Sequence, residues 1–286
     1  MVKKWGKTLE EFKKTLKLKE GEILINDLPY CSKCKGARYW TFEDRAGRCI
    51  CPCESKAYED EKRREENKKK IEQYYQRLND SLIGDKYIRA NFNKARITDN
   101  NKNAYMRCMN YVNHAEEVLK NNLGLYIYGD NSTGKSHLSA CISNELVKRG
   151  YNCLFTKLST LLDEIKGTYN NRCESESDIL RKMQEYDFVV FDEIGKEFLG
   201  RETEPSKFKW AEQKFLEFLT VRYDSNKPTI FNSNYSIREL ANILHLDKAI
   251  TERINEMATR VIKLEGDDFR KGTQQQASLF AKSIGV

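Results

Sequence analysis

The chain has 286 residues, of which 39% are hydrophobic and 33% are charged, and its formal net charge is +7. This hydrophobic fraction excludes wholesale disorder, and the length fits about two domains. Because no run of 18 apolar residues is present and residues 1–19 contain no hydrophobic signal core, we expect a cytoplasmic protein with no membrane partner. The basic balance is mild evidence for a nucleic acid partner.

A short helix and a strand are predicted within residues 1–30, and a dense group of cysteines follows: Cys31, Cys34, Cys49, Cys51 and Cys53. In a reducing compartment a C-x2-C pair followed by a second close group predicts a metal site rather than disulfides. Four thiolates satisfy the tetrahedral preference of Zn²⁺, so one cysteine is surplus. An iron–sulfur cluster uses the same ligand type, but no other motif calls for redox chemistry. Unligated thiols are the remaining alternative.

Residues 54–78 contain neither Gly nor Pro, and they carry acid-before-base pairs four residues apart, such as Glu59 with Arg63. This pattern predicts a charged, solvated helix. We therefore expect two domains. Residues 1–80 form a small zinc-binding domain with a charged helical linker, and residues 86–286 form a second domain.

Short apolar runs alternate with longer amphipathic stretches beyond residue 86. The runs are residues 123–128, 152–156, 187–191, 228–232 and 260–264. Strands that alternate with helices predict an α/β domain with a parallel sheet of five strands. The run "DFVVF" is apolar after its first residue, as expected for a strand that is buried on both faces.

The segment "GDNSTGKS" matches the phosphate-loop pattern G-x-x-x-x-G-K-[ST], and it lies between a predicted strand and a predicted helix. Backbone N–H groups of such a loop bind phosphate, the lysine neutralises β/γ-phosphate charge, and the serine hydroxyl binds Mg²⁺. We expect ATP to contact Gly129, Asp130, Asn131, Ser132, Thr133, Gly134, Lys135, Ser136 and His137. An ordinary glycine turn is the alternative.

The second chemical motif is "FVVFDEIG", which ends a predicted strand with Asp192 and Glu193. At this edge of the sheet Asp192 is expected to hold Mg²⁺, and Glu193 is expected to orient and polarise the attacking water. A P-loop kinase fits these two elements equally well. A further group that contacts the γ-phosphate would separate the alternatives. The candidates for it are the polar end of "PTIFNSN" and the arginines that follow it.

Taken with "NSN", "TERI" and "DDFR", these motifs resemble the DnaC/DnaI/IstB branch of the AAA+ P-loop NTPases, over residues 86–275. The resemblance implies that Asn234 is the first sensor, Arg253 the arginine finger for a neighbour's nucleotide, and Arg270 the second sensor. It also implies that Arg222 faces a neighbour, a weaker candidate than Arg253. Only about 20 residues follow the last predicted strand, so we expect little or no C-terminal lid.

The same resemblance suggests which cysteines bind zinc and which residues contact DNA. Loader-type proteins often carry C-x2-C followed by C-x-C before a polar helix, which favours Cys51 and Cys53 as the second ligand pair. Cys49 with Cys51 is the alternative pair.

The branch also carries a helical insertion that faces single-stranded DNA, and in the matching stretch Lys166 could contact phosphate and Tyr169 could stack on a base.

The resulting hypothesis is an ATP-dependent loader of a DnaB-type replicative helicase, with ATP, Mg²⁺ and Zn²⁺ as cofactors. The N-terminal domain would bind the helicase, and the ATPase domain would associate head to tail on single-stranded DNA. Two alternatives remain open. One is an accessory ATPase of transposition, and the other is a zinc-stabilised ATP-binding adaptor with little turnover.

Overall fold

The structure is a computed structural model that describes residues 7–169, 175–199 and 205–266. The chain divides into two units, Met1–Gln73 and Tyr74–Val286. Within the described ranges no helix combines the length and the apolar character needed to cross a bilayer. The boundary between these units falls after Gln73, a few residues before the predicted end of the first domain at residue 80. The predicted domain bounds, 1–80 and 86–286, stay a prediction.

Short strands and two helices make up the described part of the N-terminal unit. They are β1 (Lys7–Thr8), α1 (Leu9–Lys14), β2 (Glu22–Ile25), β3 (Leu28–Cys31), β4 (Tyr39–Phe42), β5 (Arg45–Arg48) and α2 (Pro52–Asp80), whose last seven residues belong to the second unit. The strands form two antiparallel sheets, one in the order β1-β5-β4 and one that pairs β2 with β3. Helix α2 is the predicted charged helix.

Helices and parallel strands alternate in the second unit. They are α3 (Lys102–Asn113), α4 (Ala115–Lys120), β6 (Leu125–Tyr128), α5 (Lys135–Lys148), β7 (Cys153–Lys157), α6 (Leu158–Thr168), α7 (Glu176–Glu185), β8 (Phe188–Ile194), α8 (Pro205–Asp224), β9 (Thr229–Ser233), α9 (Ile237–Asn242), α10 (Lys248–Met257) and β10 (Arg260–Lys263). Each of the five predicted strands is present.

The described strands of this unit pair in the order β10-β6-β9-β8-β7, and every pair is parallel. Alternate residues of β6, β7, β8 and β9 enter two separate hydrophobic cores. In β8, Phe188 and Val190 lie in one core and Val189 and Phe191 in the other, whereas the edge strand β10 buries only Ile262. Helices α3 to α5 contribute to the first core and α6 to α10 to the second. Burial on both faces explains the apolar runs and confirms the α/β prediction.

A parallel sheet brings the carboxyl ends of its strands to one edge. The register places Lys157 of β7 opposite Asp192 of β8, and Tyr128 of β6 opposite Ser233 of β9. The phosphate loop, the acidic pair and the "NSN" segment therefore share this edge. The expectation about a C-terminal lid concerns residues 267–286, which lie outside the described residues.

Candidate nucleotide site

The phosphate loop joins β6 to α5. Gly134 caps the helix with φ = 96°, a conformation that costs glycine little. The ammonium group of Lys135 donates to the carbonyl oxygens of Gly129 and Asp130, each at 2.7 Å. Burial lowers the pKa of Lys135 to about 8, although the carboxylates of Asp192 and Asp130 oppose that shift. The loop thus holds a partly desolvated cation beside the first turn of α5.

Hydrogen bonds connect helix α5 to the neighbouring strands β8 and β9. Ser136 Oγ and Asn232 Nδ2 both donate to Asp192 Oδ1, each at 2.9 Å, and Ser139 Oγ donates to Asn232 Oδ1 at 2.8 Å. Asp192 is buried, and burial raises the pKa of its carboxyl against the effect of these hydrogen bonds. The structure therefore places a hydroxyl and a carboxylate together, as a Mg²⁺ site requires.

Glu193 lies at an irregularity of the sheet. The register between β8 and β9 shifts between Phe191 and Ile194, and Glu193 has φ = 61°. Such a bulge redirects a side chain. Lys157 contacts Oε2 and Lys196 contacts Oε1 of Glu193, each at 2.8 Å. Burial acts to raise the pKa of Glu193, but the hydrogen bonds from the two lysines outweigh it and lower the pKa.

A cavity of about 680 Å³ opens at this edge, within the size range of small-molecule sites. Six of the nine predicted loop contacts line it, namely Asn131, Ser132, Gly134, Lys135, Ser136 and His137, and Asp192, Glu193, Asn232 and Asn234 line it too. Gly129 and Asp130 contribute the carbonyls that hold Lys135, and Thr133 Oγ1 donates to the Asp130 carbonyl at 2.9 Å. Asn234 is partly exposed, whereas Asn232 is buried against Asp192.

Several residues of the cavity wall were missed by the sequence analysis. Lys86, Tyr87, Lys94, Arg96 and Tyr105 precede the phosphate loop, and Lys196 follows the acidic pair. The Tyr105 hydroxyl lies 3.4 Å from Nδ1 of His137, whose pKa is lowered by burial. Residues 86–96 carry no motif that would have revealed them. Lys157, which contacts Glu193, could have been found, because it directly follows the predicted strand 152–156 at the same sheet edge.

Arg253 is absent from the described lining of this cavity. It lies on α10, where its Nη1 is 3.3 Å from Glu256 Oε2 and its guanidinium carbon is 3.9 Å from the ring centroid of Tyr223. Its side chain is partly exposed. The structure therefore gives no support for Arg253 acting on the nucleotide of its own subunit. That Arg253 acts on a neighbour's nucleotide stays a prediction. Arg270 lies outside the described residues.

The expectation that Arg222 faces a neighbour is wrong. Arg222 is fully buried, and its guanidinium donates to backbone carbonyls of Met183 and Tyr186 at 2.8 Å and of Pro228 at 2.9 Å. Burial lowers its pKa to about 10. The end of α7 and the approach to β9 present free carbonyls at this point, so Arg222 joins three segments of the fold.

The predicted DNA contacts lie at the end of α6. Tyr169 is 60% exposed, as base stacking requires. Lys166 Nζ lies 3.4 Å from Asp163 Oδ1 and 5.3 Å from the ring centroid of Trp210, so its ammonium group already has two partners. DNA binding at this place stays a prediction.

The N-terminal unit contains a second site. The Sγ atoms of Cys31, Cys34, Cys51 and Cys53 all lie within 4.8 Å of one another. A tetrahedron with Zn–S bonds of about 2.3 Å has sulfurs about 3.8 Å apart. The Cys53 sulfur is 3.7 Å from that of Cys31 and 3.1 Å from that of Cys51. Cys49 is not in this group; its Sγ is 3.7 Å from the Ala37 carbonyl. The four soft ligands fit zinc.

Local backbone geometry supports this thiolate cluster. Lys35 has φ = 58°, and a Cβ on Gly36 would overlap the ring of Pro52. Backbone hydrogen bonds from Cys34 and Lys33 lower the pKa of Cys31 to about 6. Arg38 adds a positive charge, with Nη2 3.8 Å from the Cys51 sulfur and 2.6 Å from Glu54 Oε2. These groups favour the thiolate form of Cys31, whereas hydrogen bonds with the neighbouring thiols, Cys51 first, raise the pKa of Cys53 to about 12.

A phosphate loop beside a buried acidic strand end, on a parallel sheet of this order, defines a P-loop nucleotide-binding protein of the AAA+ class. Similarity to known proteins identifies the family within this class. The chain belongs to the family of IstB-like ATP binding proteins, whose model matches residues 58–277.

The replicative helicase loader DnaC of Escherichia coli (strain K12) is 29% identical over 143 residues, 50% of this chain and 54% of DnaC. The replicative helicase loader DnaI of Bacillus subtilis (strain 168) is 27% identical over 180 residues, 60% of this chain and 54% of DnaI. A crystal structure of DnaI is similar with a TM-score of 0.51 and 26% identity, over 65% of this chain and 94% of that one. The chain thus spans about half the length of the curated relatives it matches, and the resemblance that its motifs predicted is confirmed.

Proposed function

We propose that this chain is an ATP-hydrolysing loader of a DnaB-type replicative helicase. The observation that carries the proposal is the set of groups at one cavity: Lys135 and Ser136 of the loop, with Asp192, Glu193 and Asn234 at neighbouring strand ends. Each has the chemistry that triphosphate hydrolysis needs. The similarity to two helicase loaders supports the biological role.

Lys135 and the N-terminus of α5 would hold the β- and γ-phosphates. Ser136 Oγ and Asp192 would hold Mg²⁺, which when bound neutralises charge on the phosphate oxygens. The Ser136 hydrogen bond to Asp192 places both oxygen donors at one point. Asn234 would hydrogen-bond the γ-phosphate, and its partial exposure in the cavity leaves its amide free to do so.

Glu193 would orient the attacking water and accept its proton. With both of its carboxylate oxygens paired to lysines, Glu193 is held away from that task. Its lowered pKa keeps it ionised at neutral pH, so only its position has to change. Turnover would therefore follow the release of Glu193 from Lys157 and Lys196.

Arg253 would act on the nucleotide of a neighbouring copy, which requires head-to-tail association. The test mixes two variants. Glu193→Gln cannot activate water but still presents Arg253, while Arg253→Ala keeps its own site intact. We expect each alone to lack turnover and the mixture to regain part of it on single-stranded DNA. A mixture as inactive as its components would refute action in trans.

The N-terminal unit would hold Zn²⁺ through the four clustered cysteines and bind the helicase. Lys166 and Tyr169 would contact single-stranded DNA, and the resemblance assigns the second sensor to Arg270. The zinc site serves structure in this proposal, because the described part of the unit buries few apolar side chains.

The loader role is tested by mixing the full chain with the replicative helicase of the same organism, with ATP, and measuring complexes by light scattering. We expect a complex with the helicase and an ATPase rate that single-stranded DNA raises more than duplex DNA does. Stimulation by duplex alone, with no helicase complex, would favour a transposition accessory ATPase and contradict the loader proposal.

An ATP-binding adaptor with little turnover is the second candidate. The observation that favours it is the double ion pair of Glu193. Steady-state hydrolysis separates the two candidates. A rate that stays at background with single-stranded DNA and helicase both present would support the adaptor.

A further inference from the structure

The ring of Tyr223 lies directly against the side chain proposed as the arginine finger. The guanidinium carbon of Arg253 is 3.9 Å from the ring centroid, well inside the range of a cation–π contact. Tyr223 is 41% exposed and Arg253 is partly exposed, so both groups can be reached from solvent. This contact is outside the nucleotide cavity and has no role in the function proposed above.

The second partner of Arg253 is of a different kind. Glu256 accepts from Arg253 Nη1 at 3.3 Å, and its side chain is 55% exposed. An exposed ion pair of this kind is weak, and the carboxylate would compete with phosphate oxygens for the same N–H group. Stacking on Tyr223 uses only the flat face of the guanidinium and leaves the N–H edge available to donate.

The position of Tyr223 is fixed by its neighbour in the chain. Arg222 is fully buried and donates to the carbonyls of Met183, Tyr186 and Pro228 at 2.8 to 2.9 Å. These bonds tie the end of α8 to the end of α7 and to the residue before β9. They anchor the chain at the residue next to Tyr223.

Helix α10, which carries Arg253, packs against α8 through the second hydrophobic core. Ile250, Ile254 and Met257 of α10 and Phe215, Phe218 and Leu219 of α8 are buried there. Both partners of the stacked pair thus stand on helices that the core holds in place, and the ring restricts a long side chain that would otherwise sample many rotamers.

We propose that Tyr223 is a positioning residue for Arg253, holding the guanidinium flat so that its N–H edge faces the nucleotide of a neighbouring copy. The inference rests on the proposed action of Arg253 in trans. It explains why a buried arginine and an exposed tyrosine stand side by side at the end of α8.

The test uses the mixture of Glu193→Gln and Arg253→Ala, in which only the Glu193→Gln copy presents Arg253. Tyr223→Leu is added to one component at a time. We expect turnover to fall roughly three- to tenfold when Tyr223→Leu is on the Glu193→Gln copy. We expect no change when it is on the Arg253→Ala copy, which has no guanidinium to hold.

Tyr223→Phe is the matched control, since it keeps the ring and removes the hydroxyl. On the Glu193→Gln copy it should retain turnover, and nucleotide affinity and melting temperature should match across all variants. Equal losses from both placements of Tyr223→Leu, or no loss from either, would overturn the inference. If the parent mixture itself shows no turnover, the action of Arg253 in trans fails first, and the role of Tyr223 fails with it.

Discussion

The two units of this chain are held together in different ways. In the described residues up to Gln73, the buried apolar positions are Phe12, Pro29, Cys31, Ala46 and Cys51, and two of these five are cysteines of the thiolate cluster. The second unit instead buries two large cores on the faces of its sheet. A region with so small a core needs another source of stability, and a bound metal supplies one. The comparison predicts that metal removal and nucleotide-site mutations act on different units.

The largest effect is expected from loss of one zinc ligand. Cys53→Ser removes a sulfur of the four-membered cluster, whereas Cys49→Ser removes one that lies outside it. Because structural zinc contributes about 10 kcal/mol or more to folding, we expect purified Cys53→Ser to contain no zinc and Cys49→Ser to keep one ion per chain. The zinc content of the two purified variants tests this. If Cys49→Ser lacks zinc and Cys53→Ser keeps it, Cys49 belongs to the site instead.

Lys135→Ala should have the next largest effect, confined to the second unit. Removal of a charge-assisted hydrogen-bond donor should weaken ATP binding roughly 10- to 100-fold. Lys148→Ala, at the exposed end of the same helix, is the matched control and should bind as the parent does. Fluorescent-nucleotide titration measures both, and zinc content should stay unchanged. An unaltered affinity for Lys135→Ala would contradict the site assignment.

A smaller effect is expected from pH. The pKa of Lys135 is lowered to about 8, mainly by burial, so below this pH the side chain is charged and above it the charge is lost. Phosphates bind the charged form, so the affinity for ATP should fall about threefold between pH 7.5 and 8.5.

Calorimetry in two buffers of different ionisation enthalpy should show proton uptake on binding near pH 8. Uptake that persists unchanged in Lys135→Ala would assign the proton to another group.

The smallest effect is expected at Glu193. Lys157→Ala removes one of its two ion pairs, which should raise basal turnover about twofold, because such partly exposed pairs are weak. Lys157→Arg keeps the pair and should behave as the parent does in steady-state ATPase assays. Slower turnover in Lys157→Ala would mean that the lysine positions Glu193 for hydrolysis rather than restraining it.

The sequence revealed those features that depend on local pattern. The five strands follow from apolar runs, and the phosphate loop and Asp192 follow from motifs that also fix their place at the strand ends. Cys51 and Cys53 were favoured by resemblance, and the structure groups them with Cys31 and Cys34. Where neighbours in sequence decide the structure, prediction was sound.

Features that depend on distant parts of the chain were missed. The family resemblance implied that Arg222 faces a neighbouring copy, but carbonyls of Met183, Tyr186 and Pro228 converge on it. Lys157 and Lys196 both contact Glu193, which lies at a shift in strand register that no sequence pattern indicates. The cavity wall at Tyr87 and Lys94 lies far from the phosphate loop in sequence and carries no motif.

Hydrogen–deuterium exchange on the full chain, with and without a zinc chelator, tests most directly whether the two units are stabilised separately. ATP should protect the phosphate loop, residues 129–136, equally in both samples. Chelation should speed exchange in residues 22–51 and leave the strands of the second unit unchanged. Loss of ATP protection together with faster exchange in both units would contradict the account.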